Sequence, residues 1–182
     1  EAAAFFSAGH TGGTVMAAHG TFGMLPGVDR PALAVTIPTR RHPAILLDVG
    51  ATVRCEADEL VQFALMGSAY ARRVSKVAEP RVGLLNMGAE ESKGGAVLVE
   101  AHRRLRQQTV INFVGNVEGH DLVHGKADVI VCEGLLGNVA LKLLEGISEA
   151  LDDLARGAAE QRFVWRVGLR LLSQGIDRVH AL

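Results

Sequence analysis

The 182-residue sequence has almost no net charge, few aromatic residues and only two cysteines. Lys and Arg number 19 against 20 Asp and Glu, so the chain lacks the basic footprint of a nucleic-acid-binding protein, and no nucleic-acid partner is expected. No run reaches the roughly 18 apolar residues that a membrane span needs. Cys55 and Cys132 have no metal-ligand spacing, which favours a reducing compartment and a cytoplasmic location.

Short, almost wholly apolar runs recur and predict strands buried on both faces, as in parallel sheets. Helical periodicity lies between several of them, most distinctly over 56–77, and further helices are predicted at about 96–107 and 137–156. The alternation predicts an α/β layered fold in one domain over 1–182. The six apolar runs are 2–6, 32–37, 44–49, 81–87, 110–115 and 127–132.

Loops rich in glycine and hydrogen-bonding side chains follow these runs, at the sheet edge where α/β proteins bind ligands. In the first loop, SAGHTGG at 7–13, the glycines allow backbone N–H groups to approach a phosphate or carboxylate closely. A tight turn is an equally good interpretation of the glycines alone. The other loops are DVGAT at 48–52, NMGAEESKGG at 86–95, GNVEGHD at 115–121 and CEGLLGN at 132–138.

Two residues of these loops can act on a bound anion. Lys93 is the only Lys or Arg in the five loops and can hold an anion, although a solvated lysine is the better interpretation for one taken at random. Asn138 follows a glycine where a helix is predicted to start, and spacing favours a helix cap over an oxyanion donor. The histidines at 10, 19, 120 and 124 lack metal-ligand spacing, so neither a metal nor a cofactor is predicted.

Together these segments resemble the bacterial phosphate acyltransferase family, whose members transfer a fatty acyl group from acyl carrier protein to inorganic phosphate for phospholipid synthesis. The resemblance covers about 4–146. It implies a Rossmann-like α/β sandwich with a largely parallel sheet, related to phosphotransacetylases and to isocitrate and isopropylmalate dehydrogenases, that forms a homodimer. Since family members extend on both sides of this segment and the chain starts at Glu1, a fragment of a longer protein is expected.

The resemblance also implies roles for individual residues. Lys93 and Asn138 match the family's catalytic lysine and asparagine, which reverses the preference for a cap at Asn138. Inorganic phosphate is then the nucleophile, held by loop 7–13, and the thiolate that leaves has a pKa of about 8.5. The implied substrate-binding residues are Ser7, Gly9, His10, Thr11, Gly12, Asp48, Gly50, Asn86, Glu91, Asn116, Glu118 and Glu133.

Five positions depart from the family's usual residues. His10, Thr52 and Gly95 stand where the family usually has asparagine. Ala89 stands in place of a glutamate, and Glu133 in place of an aspartate.

Near the C-terminal end, QRFVWRVGLRLLSQ at 161–174 places arginines every four residues among large apolar side chains. A helix of this kind, expected within 157–176, can lie at a membrane interface, and a helix packed on the core or on a dimer partner fits the pattern equally well. The resembled family is peripherally membrane-associated, so contact with the inner face of the cell membrane is expected. The predicted contact residues are Arg162, Trp165, Arg166, Leu169 and Arg170.

Two other functions fit the sequence. One is a phosphotransacetylase-like enzyme that uses short acyl groups on coenzyme A with the same phosphate loop. The other is a non-catalytic relative that binds a phosphorylated ligand or scaffolds a membrane complex. A nicotinamide-dependent decarboxylating dehydrogenase is disfavoured, because the sequence has no paired aspartates spaced for a divalent metal.

Overall fold

A computed structural model describes the backbone of residues 6–180 and the side chains of residues 6–173. The chain falls into two compact units, 1–140 and 141–182. The first holds the sheet, and the described part of the second is almost entirely helical. Except for Phe6, the strand predicted at 2–6 lies outside the described residues.

The sheet has five strands in the order β1-β2-β5-β3-β4, with β1 antiparallel to β2 and all other neighbours parallel. This confirms the predicted α/β fold with a largely parallel sheet. The strands are β1 (Ala34–Ile37), β2 (Ala44–Leu47), β3 (Arg81–Leu85), β4 (Asn112–Val117) and β5 (Val129–Val131). The helices are α1 (Thr11–Phe22), α2 (Ala57–Arg73), α3 (Ala96–Arg106), α4 (Gly134–Gln161) and α5 (Phe163–His180), with a short 3₁₀ helix at Gly119–Val123.

The core lies between the central strands and helices α2 and α3. All residues of β2 and β5 are buried, and Phe63 of α2 is fully enclosed among them. Gly67 of α2 faces the sheet so closely that an added Cβ would stand 2.5 Å from the side chain of Val129. Helix α2 begins with a capping box between Glu56 and Glu59, which satisfies N–H groups that have no partner within the helix.

Strand β1 departs from the prediction of a strand buried on both faces. It forms an antiparallel edge of the sheet, and Ile37 is its only buried residue. An edge strand has neighbours on one side only, so the apolar run at 32–37 did not require full burial. Strand β4 begins two residues later than the predicted run and extends to Val117.

An ion pair stabilises the end of the sheet that lies opposite the glycine-rich loops. Arg81 donates to both carboxylate oxygens of the buried Asp128, at 2.8 and 3.1 Å, and His42 Nε2 lies 3.0 Å from the same group. Burial opposes ionisation of Asp128, but the hydrogen bonds and charge of Arg81 outweigh it and lower the pKa of this carboxyl. The pair therefore stabilises the fold above the unfolded-state pKa of about 3.9, and this stabilisation is lost as the pH falls through the lower folded-state pKa.

We expect Asp128→Asn to lower the free energy of unfolding by about 2 kcal/mol at pH 7, since it weakens a buried, bidentate charge pair. The difference from the wild type should shrink as the pH falls from about 4 toward the lower folded-state pKa of Asp128, because the unfolded wild-type chain takes up a proton there while the native carboxylate is still ionised. Urea unfolding at a series of pH values measures both effects. Asp152→Asn, which removes an exposed pair with Arg156, is the control and should change little. A difference that persists unchanged at low pH would contradict the assignment.

Candidate active site

A cavity of about 580 Å³ opens at the carboxyl ends of the central strands. Its walls come from the loops after β2, β3 and β5 and from the first turns of α3 and α4. Most of the wall is apolar, and Arg54, Glu56 and Glu133 add charged groups to it. The lining residues are Val53, Arg54, Cys55, Glu56, Leu60, Leu85, Gly95, Ala96, Val97, Leu98, Glu133, Leu135 and Leu136.

The loop after β2 is organised around Asp48. Its fully buried carboxylate accepts hydrogen bonds from the backbone N–H groups of Leu33, Gly50, Ala51 and Thr52, and from the Thr52 hydroxyl. All five lie between 2.8 and 3.1 Å. Since these donors occupy the carboxylate, Asp48 can act on a ligand only through the loop that it holds in place.

Helix α4 starts against this loop. Gly134 donates to the Thr52 hydroxyl at 3.0 Å, and an added Cβ at Gly134 would stand 2.5 Å from a carboxylate oxygen of Asp48. At Gly137 an added Cβ would overlap the Asp48 carbonyl oxygen. Two glycines in the first turn therefore allow the helix to rest directly on the backbone of the β2 loop.

Asn138 is placed by this junction, but it does not cap the helix. Helix α4 begins at Gly134, so Asn138 lies in its second turn and the cap interpretation is wrong. The predicted start at 137 was three residues late, because two glycines so close together are typical of a loop rather than a helix. Asn138 is exposed, and its Oδ1 would lie 3.7 Å from a Cβ built on Gly50.

The loop that carries Lys93 is held by Asn86 at the end of β3. Asn86 Nδ2 donates to the Lys93 carbonyl at 2.9 Å, and its Oδ1 accepts from the Met87 N–H at 2.8 Å. Gly94 turns the chain with a φ of 84°, at which a larger residue would be strained. The stem of Lys93 passes over Gly88, while its ammonium is exposed and forms no ion pair within residues 6–173.

Asn116, at the end of β4, holds the same loop from the other side. Its Nδ2 donates to the Glu90 carbonyl at 2.8 Å, and its Oδ1 lies 2.9 Å from Nδ1 of the buried His102. Sequence reasoning missed His102. The signal was its position on the apolar face of α3 with Leu98, Ala101 and Leu105, where a histidine needs a hydrogen-bond partner.

The predicted phosphate loop stands apart from this network. Ser7 Oγ accepts from the Gly9 N–H at 3.1 Å, and His10 Nδ1 accepts from the Gly13 N–H at 3.4 Å as the cap of α1. Ser7, Gly9, His10, Thr11 and Gly12 are all exposed. Within the described residues, no side-chain hydrogen bond joins this loop to the other four.

The three glutamates among the predicted binding residues have different surroundings. Glu91 forms an ion pair with Arg106, and Glu118 caps the 3₁₀ helix through a capping box with Asp121. Glu133 lines the cavity. Arg54 also lines the cavity and was missed by sequence reasoning, because it lies two residues beyond the DVGAT loop.

Neither cysteine is suited to nucleophilic chemistry. Burial raises the pKa of the Cys132 thiol far above its usual value, and the negative charge of Asp48 raises it further. Burial also raises the pKa of Cys55. A thiol must lose its proton to attack, so both residues serve as core side chains.

Two further properties concern only the part of the chain that the structure describes. It holds no group of three His, Cys, Asp or Glu residues that could bind a metal ion. Its helices include none that is both long enough and apolar enough to cross a membrane.

Comparison with known sequences decides the family. The sequence profile described as "Fatty acid synthesis protein" matches residues 1–181. The chain belongs to this family. Its relatives include the "Phosphate acyltransferase" of Acidobacterium capsulatum, which is 47% identical over 177 residues, or 97% of this chain and 52% of the relative.

Two further curated relatives carry the same name. The protein of Nostoc punctiforme is 45% identical over 181 residues, or 98% of this chain and 53% of the relative. That of Thermoanaerobacter pseudethanolicus is 42% identical over 179 residues, or 98% of this chain and 54% of the relative. The chain thus spans about half the length of the curated relatives that it matches.

A solved structure supports the fold of this family member. The EutD phosphotransacetylase from Staphylococcus aureus matches with a TM-score of 0.60 at 18% identity, over 75% of this chain and 48% of that chain. This similarity confirms the expected relation to the phosphotransacetylase fold.

Proposed function

We propose that the protein is a phosphate acyltransferase, which moves a long-chain fatty acyl group from acyl carrier protein to inorganic phosphate. One observation carries the proposal: the loop of Lys93 and the start of helix α4, which carries Asn138, border the same cavity. Gly95 and Ala96, just beyond Lys93, line it on one side, and Leu135 and Leu136, just before Asn138, line it on another. The names of the curated relatives point to the same reaction.

In the proposed reaction a phosphate oxygen attacks the thioester carbonyl, and the carbonyl electron pair moves to its oxygen. The phosphate and the developing oxyanion are both negatively charged and lie close together in the transition state, and the ammonium of Lys93 offsets this charge. Asn138 Nδ2 donates a hydrogen bond to the tetrahedral oxyanion. When the intermediate collapses, the electron pair on the oxyanion re-forms the carbonyl, the C–S bond breaks, and the carrier's thiolate leaves with the electron pair of that bond. No protein nucleophile is required, because phosphate performs the attack.

The apolar side chains of the cavity suit a fatty acyl group. Leu85, Val97, Leu98, Leu135 and Leu136 would remove much of such a chain from water. The charged members of the wall, Arg54 and Glu133, would then lie near the polar end of the substrate. A short acyl group leaves most of this surface uncovered, so the cavity favours long chains over the short substrates of a phosphotransacetylase.

Loop 7–13 is proposed to supply further phosphate contacts. Its last three residues begin the 12-residue helix α1, whose first turn contains no acidic residue, and helix N-termini favour anions. The Gly9 and Gly13 N–H groups now donate to exposed side chains of the same loop, and a phosphate oxygen can replace these weak partners.

The test is an incubation of the full-length protein with palmitoyl-acyl carrier protein and inorganic phosphate. Free carrier thiol and hydroxylamine-trappable acyl phosphate are followed together. We expect both to form in equal amounts and only when phosphate is present. A parallel reaction with acetyl-coenzyme A separates the phosphotransacetylase alternative. Binding of phosphate without turnover of either thioester would favour the non-catalytic alternative and contradict the proposal.

A homodimer is also proposed, on the basis of helix α4. Four large apolar side chains recur there at intervals of three or four residues and remain between 49 and 71% exposed. This spacing forms one stripe along the helix, of the kind that packs against a second helix. The stripe consists of Leu143, Ile147, Leu151 and Leu154.

Contact with the cell membrane is proposed for helix α5. Phe163, Val164, Leu171 and Leu172 are at least 60% exposed, and the guanidinium of Arg162 lies 5.2 Å from the ring centre of Trp165. Exposed apolar side chains beside arginines and a tryptophan are typical of helices at a lipid interface. Leu169 is half-buried and contributes least to this surface.

We expect the triple reversal Arg162→Glu, Arg166→Glu and Arg170→Glu to weaken binding to vesicles of anionic phospholipid by at least about 100-fold. Each basic residue near such a surface contributes about 1 kcal/mol, and each new carboxylate is repelled. Vesicle co-sedimentation measures the effect.

The matched control reverses three exposed arginines of the first unit and changes the net charge equally. It should weaken binding much less. If both triple variants bind equally, the contact does not depend on α5. The control arginines are Arg40, Arg41 and Arg103.

A further inference from the structure

His102 is a buried polar side chain to which the proposed reaction gives no role. It is 3% exposed, on the face of α3 that carries the buried Ala101 and Leu105. Its ring meets Phe113 edge-on, with the ring centres 5.1 Å apart. Burial of an imidazole costs free energy unless its nitrogens find partners, so the partners of this ring indicate its purpose.

One ring nitrogen sets the orientation of Asn116. Asn116 Nδ2 donates to the Glu90 carbonyl, so Oδ1 is the atom that faces His102, and an amide oxygen can only accept. Nδ1 of His102 must therefore carry the proton. If this donor were absent, the Asn116 amide could rotate and place its oxygen against the Glu90 carbonyl, which would repel it.

The Glu90 carbonyl is the point at which this network reaches Lys93. It accepts from Asn116 at 2.8 Å and also from the backbone N–H of Lys93 at 3.1 Å. Because Asn86 holds the Lys93 carbonyl, the backbone of Lys93 is fastened on both of its sides. His102 supports one of these two fastenings through Asn116.

The second ring nitrogen of His102, Nε2, lies beside two charged side chains. Nε2 of His102 lies 3.4 Å from Nε of Arg106, which can donate to it, and 3.7 Å from a carboxylate oxygen of Glu91. Arg106 and Glu91 also pair with each other. Since Glu91 belongs to the Lys93 loop and Arg106 to α3, this pair ties the loop to the helix beside the ring.

We propose that His102 is a positioning residue that orders the loop of Lys93 by fixing the orientation of Asn116. The consequence for catalysis rests on the proposed role of Lys93, whereas the order of the loop does not. A histidine that merely filled the core would be replaceable by leucine without any effect on loop 88–95.

The first test is amide hydrogen exchange of the full-length protein by NMR, read at the Lys93 N–H that donates to Glu90. We expect His102→Leu to speed this exchange about tenfold, since a network of hydrogen bonds that favours the closed loop is lost. His102→Asn should restore slow exchange, because its side-chain amide can occupy the position of Nδ1 and donate to Asn116. Phe113→Leu changes the packing of the ring without removing a hydrogen bond and should leave the exchange unchanged.

The second test is kinetic. In His102→Leu, kcat/KM for phosphate should fall about tenfold and recover in His102→Asn, in step with the exchange rate. If the exchange responds but turnover does not, the loop role stands and the proposed role of Lys93 fails. Unchanged exchange in a folded His102→Leu protein overturns the inference.

Asn116→Asp provides an independent test should His102→Leu not fold. Aspartate still accepts from His102 but has no donor for the Glu90 carbonyl, so the Lys93 amide should exchange about tenfold faster. Slow exchange in that variant would also overturn the inference.

Discussion

Lys93→Ala is expected to slow phosphate-dependent acyl transfer by about 100- to 1000-fold, which is the range for loss of one group that stabilises a transition-state charge. The ammonium of Lys93 is exposed and forms no ion pair within residues 6–173, so its removal breaks no contact that supports the fold. The hydrogen bonds that hold the loop use its backbone N–H and carbonyl, and alanine keeps both. Turnover of palmitoyl-acyl carrier protein and urea unfolding measure the two effects.

The control for this variant is Lys142→Ala. Lys142 is exposed on α4 and pairs with Glu145 at 2.7 Å, a surface pair that contributes little to stability. Its replacement should leave turnover unchanged. If Lys93→Ala retains activity within a few-fold of the wild type, electrostatic stabilisation at this position is excluded, and Arg54, which lines the cavity, becomes the cation to replace next.

Gly137→Ala is expected to lower the free energy of unfolding by at least about 3 kcal/mol. The added Cβ would overlap the Asp48 carbonyl oxygen and stand 2.9 Å from Cys132 Sγ. The obstructing oxygen belongs to the backbone of the buried Asp48 loop, so it cannot move aside as the end of a flexible side chain would. Either α4 tilts away from the loop or the loop loses its hydrogen bonds, and Asn138 moves in both cases.

The matched control lies in the same helix. Gly146 has open space where its Cβ would be, so Gly146→Ala should stabilise the protein by about 0.5–1 kcal/mol through helix propensity alone. Opposite signs for the two Gly→Ala changes, measured by urea unfolding, would show that the β2 loop and not the helix requires glycine at 137. A destabilisation below about 1 kcal/mol at Gly137 would mean that the junction adapts readily.

The sequence was most informative where local pattern and burial agree. Helix α2 was predictable because its apolar spacing and the charged residues at its two ends both indicate a helix. Strands β2 and β5 were predictable because strands buried on both faces carry only apolar side chains. The edge position of β1 could not be read from its residues, because burial of a strand depends on the number of its neighbours. That number is a property of the whole sheet.

The candidate site shows a similar division. Motifs located Lys93 and Asn138 in loops that the structure brings to one cavity, but they did not reveal what holds each loop. Asp48 was predicted to bind substrate, and its carboxylate is occupied by five donors of its own loop and of the chain before β1. His102 lies on a helix outside every motif, and its contact with Asn116 depends on the packing of α3 against β4.

The close contact of Gly134 and Gly137 with the Asp48 loop does not tolerate larger side chains, whereas the cavity wall beside it does. Asn138 is positioned by the close contact between the backbone of α4 and the backbone of the Asp48 loop, so larger residues at Gly134 or Gly137 would displace it rather than adjust its position finely. The apolar wall of the cavity includes the side chains of Val97, Leu98, Leu135 and Leu136, whose volumes can be changed singly. Engineering of the proposed acyl-chain preference should therefore begin at these four positions, where the volume of the cavity can vary while the proposed reacting groups, Lys93 and Asn138, stay in place.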